Sequence, residues 1–174
     1  MNFSVIIAGL ALVISFITLY FTFFHKSEKV LVSLANCEGF QRCNLNLTII
    51  MINKGNQNIS ITNCYVLFFD EENNHIEMKE QNISFDPFVL SKNEQKIIKI
   101  TSPFVPELKA NERVPLTIKV NVNYVNSKGC ICTDLLNIGN MEVRNRIILK
   151  LSTQHLPHKL SSKIAQYERN KVFN

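Results

Sequence analysis

The side chains able to do covalent or metal chemistry are few in this 174-residue chain. Its five cysteines are Cys37, Cys43, Cys64, Cys130 and Cys132. Cys37 and Cys43 flank Glu38–Arg42, which reads as a hairpin loop, so the two thiols are placed to face each other across a strand pair. In an oxidising compartment they would form a disulfide. Cys130 and Cys132, two apart on a strand, share one face. Neither spacing is a standard zinc set, and no histidine is near either pair. Free or structural thiols, one disulfide, and a redox or metal site are the three readings. The odd cysteine count and a cytoplasmic placement of the domain both favour free thiols.

Nucleophilic hydrolysis needs a base beside the nucleophile. His25 borders an apolar segment, and His155 and His158 fall near the C-terminus. His75 alone lies in the body, within the acidic stretch Asp70–Glu80, which reads as a solvated loop. The three aspartates, Asp70, Asp86 and Asp134, form no motif, and five scattered glycines make no phosphate-cradling loop. No catalytic residue, cofactor or metal is expected, and a non-enzymatic role follows.

Charge points elsewhere. The formal net charge is +5. Residues 144–174 hold seven Lys or Arg against Glu168 alone. The stretch Ser161–Asn174 would form a short helix with Leu160, Ile164 and Tyr167 on one face. Lys159, Lys163, Arg169 and Lys171 then make a basic tail, suited to an anionic leaflet. A frayed basic terminus is the plainer alternative. No aromatic–basic motif for nucleic acid accompanies it.

These groups must be positioned by larger elements. Phe3–Phe24 contains no charge and holds 17 of the chain's apolar residues. At about 1.5 Å per residue this predicts a helix crossing roughly 30 Å of hydrocarbon. Only Met1 and Asn2 precede it, and Phe21–Phe24 is a poor cleavage site, so a transmembrane anchor is favoured over a signal peptide. Lys26 and Lys29 follow it, which places the C-terminal domain on the cytoplasmic side of the cell membrane. Ser4, Ala8, Ala11, Ser15, Thr18 and Thr22 fall at spacings of four and three. That is a heptad seam of small and hydroxyl residues, through which helices associate in lipid.

From residue 30 the apolar period becomes two. Ile118, Val120, Val122 and Tyr124 alternate with polar residues, as do Leu45, Leu47, Ile49 and Met51. Ile59 and Ile61, then Tyr65, Leu67 and Phe69, predict another face, and Val143, Ile147, Leu149 and Leu151 a further one. Val30–Asn36, Lys96–Thr101 and Cys130–Ile138 are shorter candidates. Asn53–Asn56 and Asn126–Gly129 supply turn residues that tolerate positive φ. About seven short strands with regular turns predict an all-β antiparallel sandwich. Its expected extent is residues 26–152, between an anchor at 1–25 and a tail at 153–174. Asn-x-Ser/Thr sequons at Asn46, Asn58 and Asn82 are what chance gives in so Asn-rich a chain.

The run Leu45–Ile61, a strand ending in Asn-x-Gly followed closely by another strand, resembles an early strand pair of bacterial immunoglobulin-like, adhesion-type domains. Phe88–Ile100 is similar to their later Leu-x-Pro-Gly-Glu … Ile-x-Ile strand, with Asn93 where glycine is usual and Ser91-Lys92 replacing the proline. The resemblance covers Leu45–Ile100. It implies an immunoglobulin-like fold with a binding or spacing role, and it carries no site residues.

Together these features predict a membrane-anchored interaction module, homo-oligomeric through its helix, that binds a partner protein or a ligand. The alternative is a signal-responsive membrane effector of the bacterial-immunity type, whose cytoplasmic domain senses an anionic ligand. An extracytoplasmic sandwich with a Cys37–Cys43 disulfide is a third reading.

Overall fold

The computed structural model describes residues 3–21, 27–40, 44–76, 85–103, 113–144 and 147–161. After helix α1 (Phe3–Leu19) every regular element among them is a strand: β1 (Val30–Phe40), β2 (Asn44–Asn53), β3 (Ile59–Phe69), β4 (Phe88–Leu90), β5 (Gln95–Pro103), β6 (Val114–Val125), β7 (Ile131–Arg144), β8 (Ile147–Thr153) and β9 (His158–Lys159). They form two antiparallel sheets, β5-β2-β1-β9 and β4-β3-β6-β7-β8, whose inner faces share one apolar core.

Alternation builds that core where the sequence shows it plainly. Leu45, Leu47, Ile49 and Met51 of β2 are buried and meet Ile118, Val120, Val122 and Tyr124 of β6 in a single cluster. Two expected faces are corrected. In β3 the register shifts between Ile61 and Asn63, so Thr62 is an extra residue. A one-residue bulge exchanges the two faces. Cys64, Val66 and Phe68 therefore fill the core, while of the expected Tyr65, Leu67 and Phe69 the first two are only partly buried and Phe69 alone is buried. The expected Val143–Leu151 face is instead a hairpin, with Met141 opposite Leu151 and Arg144 opposite Ile147. Ile148 and Leu151 pack on the core, and Ile147 and Leu149 are exposed.

The domain also runs further than residue 152. β9 adds to the edge of β1, pairing Leu31 with Lys159 and Val32 with His158, and Leu160 is buried in the core. The expected amphipathic tail helix thus loses its first apolar residue to the sandwich; residues 162–174, with Lys163, Arg169 and Lys171, lie outside the described residues.

Strand directions sort the connections into two ends. One end gathers the linker Ser27–Lys29, the turns at 54–57, 91–94 and 126–129, and the segment 159–161; we call it the anchor pole. Gly129 has φ +77°, as the turn chemistry anticipates. Gly55 works differently, by close approach. A Cβ there would overlap the Ser27 carbonyl oxygen and lie 2.8 Å from the Lys29 amide nitrogen. Asn93 has φ +60°, the left-handed conformation that asparagine tolerates and glycine prefers.

α1 covers 17 residues and continues through Tyr20 and Phe21 as a wider π-type turn. Thr22–Phe24 lie outside the described residues. Among the described residues no helix is long and apolar enough to cross a membrane.

Candidate functional site

The least satisfied surface of the molecule is α1. It contains no charge, and none of its residues is buried. Phe3, Leu10, Ile14 and Phe16 are each about 60–80% exposed, and every other large apolar side chain through Phe21 is exposed too. Burying the exposed part of these thirteen side chains is worth on the order of 10–20 kcal/mol, which no contact among the described residues supplies.

Ser4, Ala8, Ala11, Ser15 and Thr18 all lie on this helix; Thr22 falls outside the described residues. At 3.6 residues per turn the five occupy one stripe about 80° wide. Two of the stripe's hydroxyls have partners within the helix. Ser15 Oγ donates to the Ala11 carbonyl at 2.8 Å and Thr18 Oγ1 to the Ile14 carbonyl at 2.8 Å. Each O–H is thus satisfied inside its own helix, which makes it compatible with an apolar medium, and the oxygen remains an acceptor.

The helix enters the sandwich at a tightly knit pole. Lys54 N–H donates to the Lys29 carbonyl (2.7 Å) and Asn56 N–H to the Ser27 carbonyl (2.9 Å), while the Asn56 side chain accepts from Ser27 N–H (2.7 Å). Glu28 accepts from the backbone N–H of Ser127 at 2.9 Å and from its hydroxyl. Fully buried Asn53 is the hub. Its Nδ2 donates to the Gln57 (2.8 Å) and Leu90 (3.0 Å) carbonyls, and its Oδ1 accepts from Gly55 N–H (2.9 Å). The C-terminal segment is fastened there by Asp134, a buried carboxylate on the inner face of β7. Asp134 accepts from Tyr124 O–H (2.9 Å), Ser161 N–H (2.8 Å) and the Ser161 hydroxyl. Lys159 of the expected basic tail is exposed beside this attachment.

No protein-family model matches the chain, and no curated protein is significantly similar to it. Function must therefore be argued from the side chains.

The four described thiols are not assembled for chemistry. In the β1–β2 register Leu47 stands opposite Cys37, and Cys43, its expected partner, lies outside the described residues. Cys37, Cys64, Cys130 and Cys132 are free thiols. Burial pushes Cys37 up to about 11, with Glu38 adding to the effect, and Cys64 up to about 12. Burial, with Cys130 and Glu28 adding to it, raises Cys132 as well. Protonated thiols are poor nucleophiles and poor ligands. Cys132 is buried on β7, whereas Cys130 precedes the strand in the turn, its N–H bonded to Asn126.

Among the described residues no three His, Cys, Asp or Glu side chains converge into a metal cluster. Asp70 closes a turn, accepting from Asn74 N–H at 2.7 Å, which lowers its carboxyl below the usual range. His75 stacks edge-on against Phe69 at 5.6 Å. A cleft of about 460 Å³ lies at the far end of β6, β7 and β8, lined by Arg113, Asn140, Glu142, Lys150 and Ser152 among others. Arg113 pairs with Glu142 at 3.4 Å, and Lys150 stands opposite Glu142 in register. The cleft is of mixed charge.

Of the residues that the sequence singles out, the structure thus brings five seam residues onto one stripe and Lys159 to the anchor pole. Sequence reasoning missed Asn53 and Asp134. For Asp134 a signal existed: it continues the inward phase of Cys132 and Leu136, where an acid demands donors.

Proposed function

We propose that this protein is a membrane-anchored interaction module: an immunoglobulin-like sandwich held at the bilayer by α1, self-associated through the small-residue stripe, and presenting its far end to a protein partner. The observation that carries this reading is an uncharged, apolar helix with every side chain exposed. Such a helix finds its burial outside the chain, in lipid or against copies of itself. The described 19 residues of helix and π turn measure about 28 Å, a few ångströms short of an average hydrocarbon core. A mismatch of that size costs only fractions of a kcal/mol per ångström and is met by local thinning. Lys26 and Lys29 support a cytoplasmic sandwich. Two antiparallel sheets with repeated sheet-to-sheet crossings support the immunoglobulin-like reading.

The test is retention of the full chain in membranes after an alkaline wash. Wild type stays with the lipid. Leu12→Arg, which places a charge at the helix centre at about 3 kcal/mol, shifts the chain toward the soluble fraction by roughly a hundredfold. Release of wild type by the wash would remove the anchor reading. Ala8→Leu with Ser15→Leu tests the stripe by crosslinking: loss of the crosslinked oligomer supports it, and an unchanged oligomer refutes it.

A further inference from the structure

The anchor pole is lysine-rich in a way no single stretch of sequence displays. Lys29 ends the linker, and Lys54, Lys92 and Lys128 each sit in one of the three turns that converge there. Lys159 stands on the strand that closes the edge of β1. All five are exposed, and none forms an ion pair with a described residue. Three acids stand among these five lysines, and each is held by hydrogen bonds to backbone or hydroxyl donors rather than by a lysine. Glu28 is engaged by Ser127, Glu94 accepts from Ser91 N–H at 2.7 Å, and Asp134 is buried under three donors. The opposite end is mixed: the acidic turn Asp70-Glu71-Glu72 lies there together with Arg113, Glu142 and Arg144.

We infer that the anchor pole is a lipid-docking face: Lys29, Lys54, Lys92, Lys128 and Lys159 bind the anionic phosphate headgroups of the leaflet that α1 enters. This rests on the anchored reading and adds a preferred lipid chemistry and a fixed posture of the sandwich on the surface. Two observations commit it to that occupant. Charge complementarity is the first, since each lysine near an anionic leaflet gains roughly fivefold in binding. Tether length is the second. Only residues 22–26 lie between Phe21, the last described residue of the helix, and Ser27, whose N–H is already bonded to the turn at Asn56. Fully extended, that stretch of chain spans at most about 20 Å, so the lysines cannot leave the neighbourhood of the headgroups. The backbone bonds of Lys54 and Asn56 to the linker, and of Ser127 to Glu28, tie the segments that carry Lys29, Lys54 and Lys128 to one another.

The test uses the full chain in lipid nanodiscs, of neutral phosphatidylcholine alone or with phosphatidylglycerol, and a water-soluble amine-acetylating reagent read by mass spectrometry. Lys54, Lys92 and Lys128 are expected to react at least about fivefold more slowly in the anionic discs, with Lys119 and Lys150, far from the pole, unchanged. In ~1 M salt, where the Debye length falls to about 3 Å, the protection disappears. Lys54→Glu with Lys128→Glu abolishes the protection of Lys92. Equal rates in both lipids at low salt would overturn the docking face while leaving the anchor standing. A chain that joins only anionic discs would support the face and overturn the anchor, and a chain that joins neither overturns both.

Discussion

Asp134→Ala should release the C-terminal segment from the sandwich without unfolding it. Four residues, His158–Ser161, are ordered there, at about 4–8 kcal/mol of backbone entropy. Against this stand the burial of Leu160, about 1.5–3 kcal/mol, and the backbone bonds to β1, including Leu160 N–H to the Val30 carbonyl at 3.0 Å, about 1 kcal/mol each. Those terms roughly cancel the entropy. What holds the segment is the pair of bonds from Ser161 to a charged acceptor, each about 1.5–3 kcal/mol. Removing the carboxylate should therefore cost about 3 kcal/mol of local stability and speed exchange of the Leu160 amide about a hundredfold. Hydrogen exchange reads this directly, with Val122 as a core reference. A separate cost arises because Tyr124 O–H loses its 2.9 Å acceptor. Tyr124→Phe in the Asp134→Ala background should recover that global loss and leave the fast Leu160 exchange. If Asp134→Ala leaves Leu160 as protected as in wild type, the ledger for this segment is wrong.

Three further outcomes follow from the same pole and core. Asn53→Ala strands the Leu90 carbonyl and the Gly55 amide, and should lower stability by roughly 3–5 kcal/mol in chemical denaturation. Gly55→Ala forces the turn away from Ser27 and Lys29, so protease sensitivity of the linker should rise while the core strands keep their exchange protection. Cys64 is a neutral thiol in the fold and is pushed up to about 12 by burial, so above pH ~9 the unfolded chain holds fewer protons than the folded one. Stability should fall as pH rises from about 9 toward 12, by up to about 1.4 kcal/mol per unit, and Cys64→Ala should flatten that slope in alkaline melts.

The strands were legible wherever period two ran unbroken, as from Ile118 to Tyr124, because one face alone is buried. Phase changes were not. Thr62 shows nothing in sequence that marks it as extra; it reads as a β-branched strand residue. The consequence was a face assigned to Tyr65 and Leu67 that belongs to Cys64, Val66 and Phe68. The end of the domain was misjudged because β9 is two residues long and held by one side chain 27 positions away, Asp134. The lysine face was invisible for a different reason. Lys54, Lys92 and Lys128 are isolated in sequence and become neighbours only when alternating strand directions send three turns to one end. The apolar helix, by contrast, was legible in composition alone, and the structure ties the Ser15 and Thr18 hydroxyls back to carbonyls one turn earlier in the same helix.

Sidedness tests the central claim most directly. A cysteine introduced as Asn2→Cys and another as Lys99→Cys, on the exposed face of β5, are treated in intact cells with a membrane-impermeant maleimide, and the labelled peptides are identified by mass. A crossing helix with a cytoplasmic sandwich gives labelling at position 2 from outside and at position 99 only after permeabilisation. Labelling of both positions from the same side would show that α1 does not cross, and the account of an anchored module would fail with it.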